Sequence, residues 1–229
     1  MNNLKLSPDT LAFLSDLDQN NNKEWFQANK ARYQKAKDDF EHFVSGLITL
    51  LNNELQLGGV EPKNCIYRIF KDVRFSKDGT LYKTEFGATI AEEGKKTNKA
   101  ALHLYVKHDG QVFIDTGTCH IGPKDLAKIR SAIDYDSSDF NDFLKSPGYY
   151  DLFGGELMGD RVKSAPRGYT TENKSIELLR YKNFSVRAKV KSEELLADGF
   201  DKKVLKIVKA AEPLRNYLNN ALNFSENEN

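Results

Sequence analysis

The stretch "AALHLYVKHDGQVFIDTG", Ala100–Gly117, decides how this chain folds. Leu102, Leu104 and Val106 alternate with His103, Tyr105 and Lys107, the period of two that sends successive side chains to opposite faces of a strand. Asp109-Gly110 follows, a dipeptide suited to the positive φ angles of a tight hairpin turn. "QVFIDTG" then resumes the extended pattern. A connection this short makes the pair antiparallel, because parallel strands need a long crossover. One face of the hairpin is apolar. The other carries His103, Tyr105 and Lys107 and is expected to be solvated, or else to be a polar aromatic surface on which a ligand lies.

Working outward, "FGATIA" reads as a preceding strand joined through the polar loop "EEGKKTN", and "CIYRIF" (Cys65–Phe70) and "NFSVRAKV" read as further strands. The N-terminal part is helical. Ser7 is a cap signal with Pro8 at the first helical position, and Leu11, Leu14 and Leu17 fall on one face. Asn20-Asn21-Asn22 ends that helix and offers Asn22 as the cap of the next. From about Ala31 to Leu55, Phe40, Phe43, Val44, Leu47, Leu50, Leu51 and Leu55 repeat at helical spacing. After Gly122-Pro123 the helical period returns in "KDLAKIRSAI", "SSDFNDFL", "TENKSIELLRYK", "SEELLADGF" and "KKVLKIVKAAEPLRNYLNNALNF", where Pro213 kinks or breaks the last. Pro147–Tyr169 reads as irregular, with one short strand near Glu156–Lys163. The expected class is α+β, a central antiparallel meander packed by N-terminal and C-terminal helices. It is expected to form a single domain over residues 1–224 with a disordered tail at 225–229.

Composition narrows the partners. Hydrophobic residues make up 39% and charged residues 29% of 229 positions, an ordinary globular balance. A formal net charge of +1 supplies no global field for nucleic acid or membrane, so a preference for anions has to come from a local patch. The start of the chain lacks an apolar signal core and no apolar run reaches membrane-spanning length, which makes a cytoplasmic protein the expectation. Cys65 and Cys119 form no CxxC pair and imply a reducing compartment.

Phosphate-loop, dinucleotide, zincin and nucleophile-elbow motifs are all absent. Cys119-His120 is two ligands at most, too few for a zinc site, and reads as turn residues after a strand. "DYD" at Asp134–Asp136 reads as turn chemistry at a helix end. No catalytic residue, metal or cofactor is assigned by any spacing.

The chemistry concentrates in "RIFKDVRFSKDGTLYKTEFG", Arg68–Gly87. Between Arg68 and Lys83 the cations Arg68, Lys71, Arg74, Lys77 and Lys83 face only Asp72 and Asp78. In extended chain Arg68, Asp72 and Arg74 share one side, opposite Ile69, Val73 and Phe75. Two readings stand together: an internal Arg–Asp–Arg ion-pair network, or a carboxylate that orients one guanidinium while the other meets an anion. Ser76, Gly79 and Thr80 add amides and hydroxyls suited to a phosphate or carboxylate.

This segment, with "NNNKEWFQANKARY" upstream, closely resembles the bacterial domain of unknown function 2461 family, whose members carry "NNREWF", "NKxxY" and "RDxRFSKDKxPYK". The matching positions are Asn21, Asn22, Glu24, Trp25, Phe26, Asn29 and Tyr33, then Arg68, Asp72, Arg74, Phe75, Ser76, Lys77, Asp78, Tyr82 and Lys83. Ile129-Arg130, "APRGYT" and "LLRYKNF" extend the resemblance over nearly the whole chain. Lys71, Gly79 and Leu81 depart from the commoner Arg, Lys and Pro, and "GTCHIGP" departs from the usual Gly-rich stretch. The resemblance implies a whole-chain fold and no particular activity.

Three functions of different kinds follow. The preferred one is the binding of a small anionic ligand by Arg68, Asp72, Arg74, Lys77 and Lys83 with Trp25, His103 and Tyr105 nearby. In the second the segment only stabilises the fold of a structural or interaction protein. In the third, exposed lysines and sheet aromatics serve a nucleic-acid-associated protein, against which the net charge argues.

Overall fold

Ser7 does what its position before a proline predicts. In the computed structural model, which describes residues 4–72, 80–119 and 121–223, its side chain accepts from the Asp9 N–H and opens helix α1, Pro8–Gln19. Arg74 and Lys77 of the basic segment, His120, and the tail at 225–229 lie outside the described residues. The buried stripe of α1 is Thr10, Phe13, Leu14 and Leu17, so Phe13 takes the place expected of Leu11. The Ser7 N–H and the Thr10 hydroxyl both donate to Asp39, which fixes the start of α1 against helix α3, Lys30–Leu55. Between them, α2 (Lys23–Ala28) is capped by Asn22, whose side-chain oxygen accepts from the Trp25 N–H at 2.9 Å. A six-residue helix has little cooperativity of its own, so the cap matters. Asn22→Ala is expected to cost about 1 kcal/mol and Asn22→Gly a few tenths of that, read from urea unfolding midpoints; equal losses would show that the cap is not what holds α2.

Helix α3 buries Ala36, Phe40, Phe43, Val44, Leu47, Ile48 and Leu51. The one-turn α4, Pro62–Cys65, follows. Here the expectation of a strand over Cys65–Phe70 is corrected. Cys65 closes α4, and among the described residues the next ones pair their backbone with the following chain at two isolated antiparallel bridges, Ile66↔Ala88 and Phe70↔Tyr82. Between the bridges one side advances four residues and the other six, so a continuous ladder cannot stay in register. Strand-like composition produced extended chain without a strand.

The sheet itself holds β1 (Glu85–Ile90), β2 (Ala101–Lys107), β3 (Gln111–Thr118) and β4 (Phe184–Lys191), antiparallel and in that spatial order. The β2–β3 turn uses Gly110 at φ +78°, and Asp109 accepts from the Gln111 N–H. Where β3 meets β4, Gly117 is obligatory: at φ +143°, a Cβ there would lie 2.1 Å from the Phe184 carbonyl oxygen.

Contacts group the chain into two units. The first comprises Met1–Lys96, His103–Ile114 and Lys189–Lys206; the second comprises Thr97–Leu102, Asp115–Ala188 and Ile207–Asn229. In the second, α5 (Pro123–Tyr135) and α6 (Ser138–Lys145) pack on α11, Glu212–Asn223. The stretch expected to be irregular begins with a helix, α7 (Pro147–Phe153), capped by Ser146 and stopped by Gly154 at φ +69°. The expected helix over "TENKSIELLRYK" shrinks to one turn, α8 (Ile176–Leu179), because Asn173 turns back to accept from the Ser175 N–H. Ser192–Leu196 (α9) follows β4, and α10 (Phe200–Ala210) stops just before Pro213, the second residue of α11. Among the described residues no helix is long and apolar enough to cross a membrane.

Candidate ligand site

The segment that attracted attention in the sequence is anchored by its aromatics. Tyr82 is 3% exposed and stacks on Phe26 at 4.0 Å between centroids and 8° between planes, with Phe70 and Tyr33 around them. Asn21 clamps the same place. Its side-chain oxygen accepts from the Leu81 and Tyr82 N–H groups, and its amide donates to the Tyr82 carbonyl at 2.9 Å. Asn21, Phe26, Tyr33 and Tyr82 therefore hold together two parts of the chain that are far apart in sequence, and they do so as architecture.

One residue beyond that anchor, Lys83 is half-buried and places its ammonium 5.4 Å from the centroid of the Tyr67 ring, a cation–π arrangement. The Tyr67 ring lies against Gly87 of β1. A Cβ at Gly87 would come within 3.0 Å of Tyr67 and 3.2 Å of Tyr105, so any larger residue there would press both rings outward by a few tenths of an ångström. The two rings are parallel to within 16°, with centroids 6.5 Å apart.

Beneath them runs a buried hydrogen-bond chain. The Tyr67 hydroxyl bonds to the Thr89 hydroxyl, which bonds to His103 Nδ1 at 2.9 Å. Thr89 and His103 are 2% and 5% exposed. The expectation of a solvated face on β2 is thus corrected: His103 sits under cover, and only Tyr105 and Lys107 of that face reach half-exposure. The period of two holds along β2, and the cover over His103 comes from Tyr67, which belongs to a different segment.

Of the residues singled out in the sequence, the first unit brings together Lys83, His103 and Tyr105. Arg68 adjoins Tyr67 in the chain, is exposed, and makes no ion pair or hydrogen bond among the described residues. Asp72 is half-buried and Lys71 donates to the Thr80 hydroxyl. Trp25 packs on Phe13 with centroids 6.1 Å apart and takes no part in the Tyr67 cluster. Tyr67, Gly87 and Thr89 were missed. Tyr67 had a signal in "CIYRIF", where it alternates with Arg68, but nothing local marks Gly87 or Thr89 as its floor and its anchor.

The second unit offers different chemistry. A cleft of about 800 Å³ is lined by Asp136, Asp139, Asp142 and Glu212 with Tyr135 and Tyr217, and its carboxylates repel anions. Asp136 does serve turn chemistry, accepting from the Ser138 N–H, which holds its carboxyl below the usual range. Burial first, then Asp136 and Asp139, push the Tyr217 hydroxyl well up. Arg130 is consumed by architecture, donating to the Leu179 and Tyr181 carbonyls. The Cys119 carbonyl accepts from Asn183. Among the described residues no group of three His, Cys, Asp or Glu side chains is placed to hold a metal ion.

A family model described as conserved hypothetical protein, DUF2461, matches residues 9–217. No curated protein and no solved structure matches the chain.

Proposed function

Because the chain belongs to the DUF2461 family of conserved hypothetical proteins, whose description names no reaction, we propose a function from the site's own chemistry: the binding of a small ligand bearing a phosphate or carboxylate, at Lys83 and Arg68 beside the Tyr67–Thr89–His103 chain, in the cytoplasm. The observation that carries it is the state of those two cations. Lys5, Arg32 and Lys63 in the same unit each pair with a carboxylate. Arg68 and Lys83 have no carboxylate partner among the described residues, although both flank a segment rich in polar donors. An exposed guanidinium presents a fork that fits a phosphate or carboxylate, and an ammonium held over an aromatic ring is partly desolvated and ready to pair.

Isothermal titration with phosphate esters and dicarboxylates tests the reading. Arg68→Ala and Lys83→Ala are each expected to weaken anion binding about tenfold while leaving the unfolding midpoint unchanged, the size of one charge-assisted hydrogen bond. Wild-type protein that binds neither class of anion, or variants that bind as the wild type does, would overturn it. The reading in which the segment is only scaffold has one observation in its favour, the Asn21–Phe26–Tyr82 clamp, and that clamp ends before Lys83.

A further inference from the structure

We infer that the acidic cleft of the second unit is a separate binding site, for a linear polyamine whose ammonium groups are spaced along an aliphatic chain. It uses none of the residues of the anion reading and does not rest on it.

The cleft spreads charge of one sign over an apolar floor. Asp136, Asp139, Asp142 and Glu212 line a space of about 800 Å³, and among the described residues its lining holds no Lys, Arg or His. That volume is in the range of small-molecule sites. The carboxylates come from three elements. Asp136 caps the C-terminal end of α5, where the helix dipole adds negative potential and no basic residue in the last turn answers it. Asp139 and Asp142 stand three apart on α6 and so share a face. Glu212 begins α11 and meets Arg215 of its own helix at 3.8 Å. Asn216 and Asn220, four and eight residues further on, continue the Glu212 face along the cleft. The side chains of Asp139, Asp142, Asn216 and Asn220 are exposed and make no hydrogen bond or ion pair among the described residues.

A cleft lined by one sign of charge concentrates the opposite ion. Yet no three of these carboxylates close on a single metal ion. The cation that matches them is therefore extended, with its charges at intervals. Phe143 and Ala221, each 3% exposed, lie on the floor and offer apolar surface to the methylenes that join those charges. The walls are tied together in advance. The Tyr217 hydroxyl of α11 donates to the Asp136 carbonyl at 2.7 Å, and the Tyr217 ring packs on Phe140 of α6 with centroids 5.3 Å apart. A preformed cleft leaves little to be ordered when a ligand enters.

Calorimetric titration of the full chain at low salt with spermidine, butylamine, magnesium chloride and trilysine tests the inference. Spermidine is expected to bind about tenfold more tightly than butylamine, the gain of two further exposed ion pairs, and to be held against equimolar magnesium. Asp139→Asn/Asp142→Asn should weaken spermidine about tenfold for the same reason, and added salt should weaken it further. Butylamine binding as tightly as spermidine, or magnesium displacing spermidine at equal concentration, would overturn the extended-cation inference. Trilysine, of the same net charge as spermidine, binding more tightly would overturn it in favour of a basic protein partner. A double variant that binds spermidine as the wild type does, or a wild type that binds none, would also overturn it. The comparison of ligands on the wild-type chain needs no variant, so it decides the matter even if the double variant does not fold.

Discussion

Phe26→Ala is expected to destabilise the protein by about 3–5 kcal/mol, the cost of removing a fully buried phenyl ring from a close-packed cluster. Phe26 is 3% exposed and touches three rings: Tyr82 in a closed stack, Tyr33 at 5.0 Å and Phe70 at 5.8 Å. Deleting it leaves a cavity that Asn21 cannot close, because that side chain is committed to three bonds with Leu81 and Tyr82. The loss has a second signature. Leu81 and Tyr82 N–H groups lean on Asn21, so their hydrogen exchange should quicken in the variant well before global unfolding. Urea unfolding with exchange measured at those two amides checks both effects. A loss under about 1 kcal/mol, in the range of an ordinary substitution, would mean that the ring cluster does not hold the two parts of the chain together.

Arg187→Leu should cost about as much, for an electrostatic reason. Asp115 on β3 is 4% exposed, and Arg187 on β4 grips both its oxygens, Nε to Oδ1 at 2.7 Å and one terminal nitrogen to Oδ2 at 2.6 Å. Removing the arginine strands a buried carboxylate, a loss of about 3–5 kcal/mol. Replacing both partners by leucine removes the stranded charge along with the pair and should restore most of the stability. Chemical unfolding of Arg187→Leu and of the double variant Asp115→Leu/Arg187→Leu tests this. If the double variant is no more stable than the single one, the cost lies in packing and the charge account fails.

Legibility in the sequence followed the range of each interaction. Ser7-Pro8 and Asn22 announce their helices because a cap needs only its own next three residues. The same signal at Ser146-Pro147 is masked by the Gly and Tyr that follow it. Cys65–Phe70 misled because β-branched and aromatic residues report a preference for extended backbone and say nothing of the partner's register. Lys83, His103 and Tyr105 were identifiable as polar aromatics and cations near one face. Their meeting place was not, because it depends on Gly87 as a floor and on Tyr67 as a lid, contributed by chain 20 positions before it. The architectural role of Asn21 was equally invisible, since its partners lie 60 and 61 residues away.

The two single-bridge contacts of irregular chain have a consequence for how the protein behaves in a crowded solution. β1 and β4 are the ends of the sheet. The outer side of β1 is met by Ile66, with the Tyr67 N–H donating to the Gly87 carbonyl. That of β4 is met by Met158, which exchanges two hydrogen bonds with Ser185. Each terminal strand thus has part of its outward row of amides and carbonyls occupied by a segment too broken to serve as a template itself. A neighbouring molecule finds no continuous ribbon to extend, and a proteolytic nick in either segment would convert a guarded margin into a nucleus for strand-by-strand aggregation.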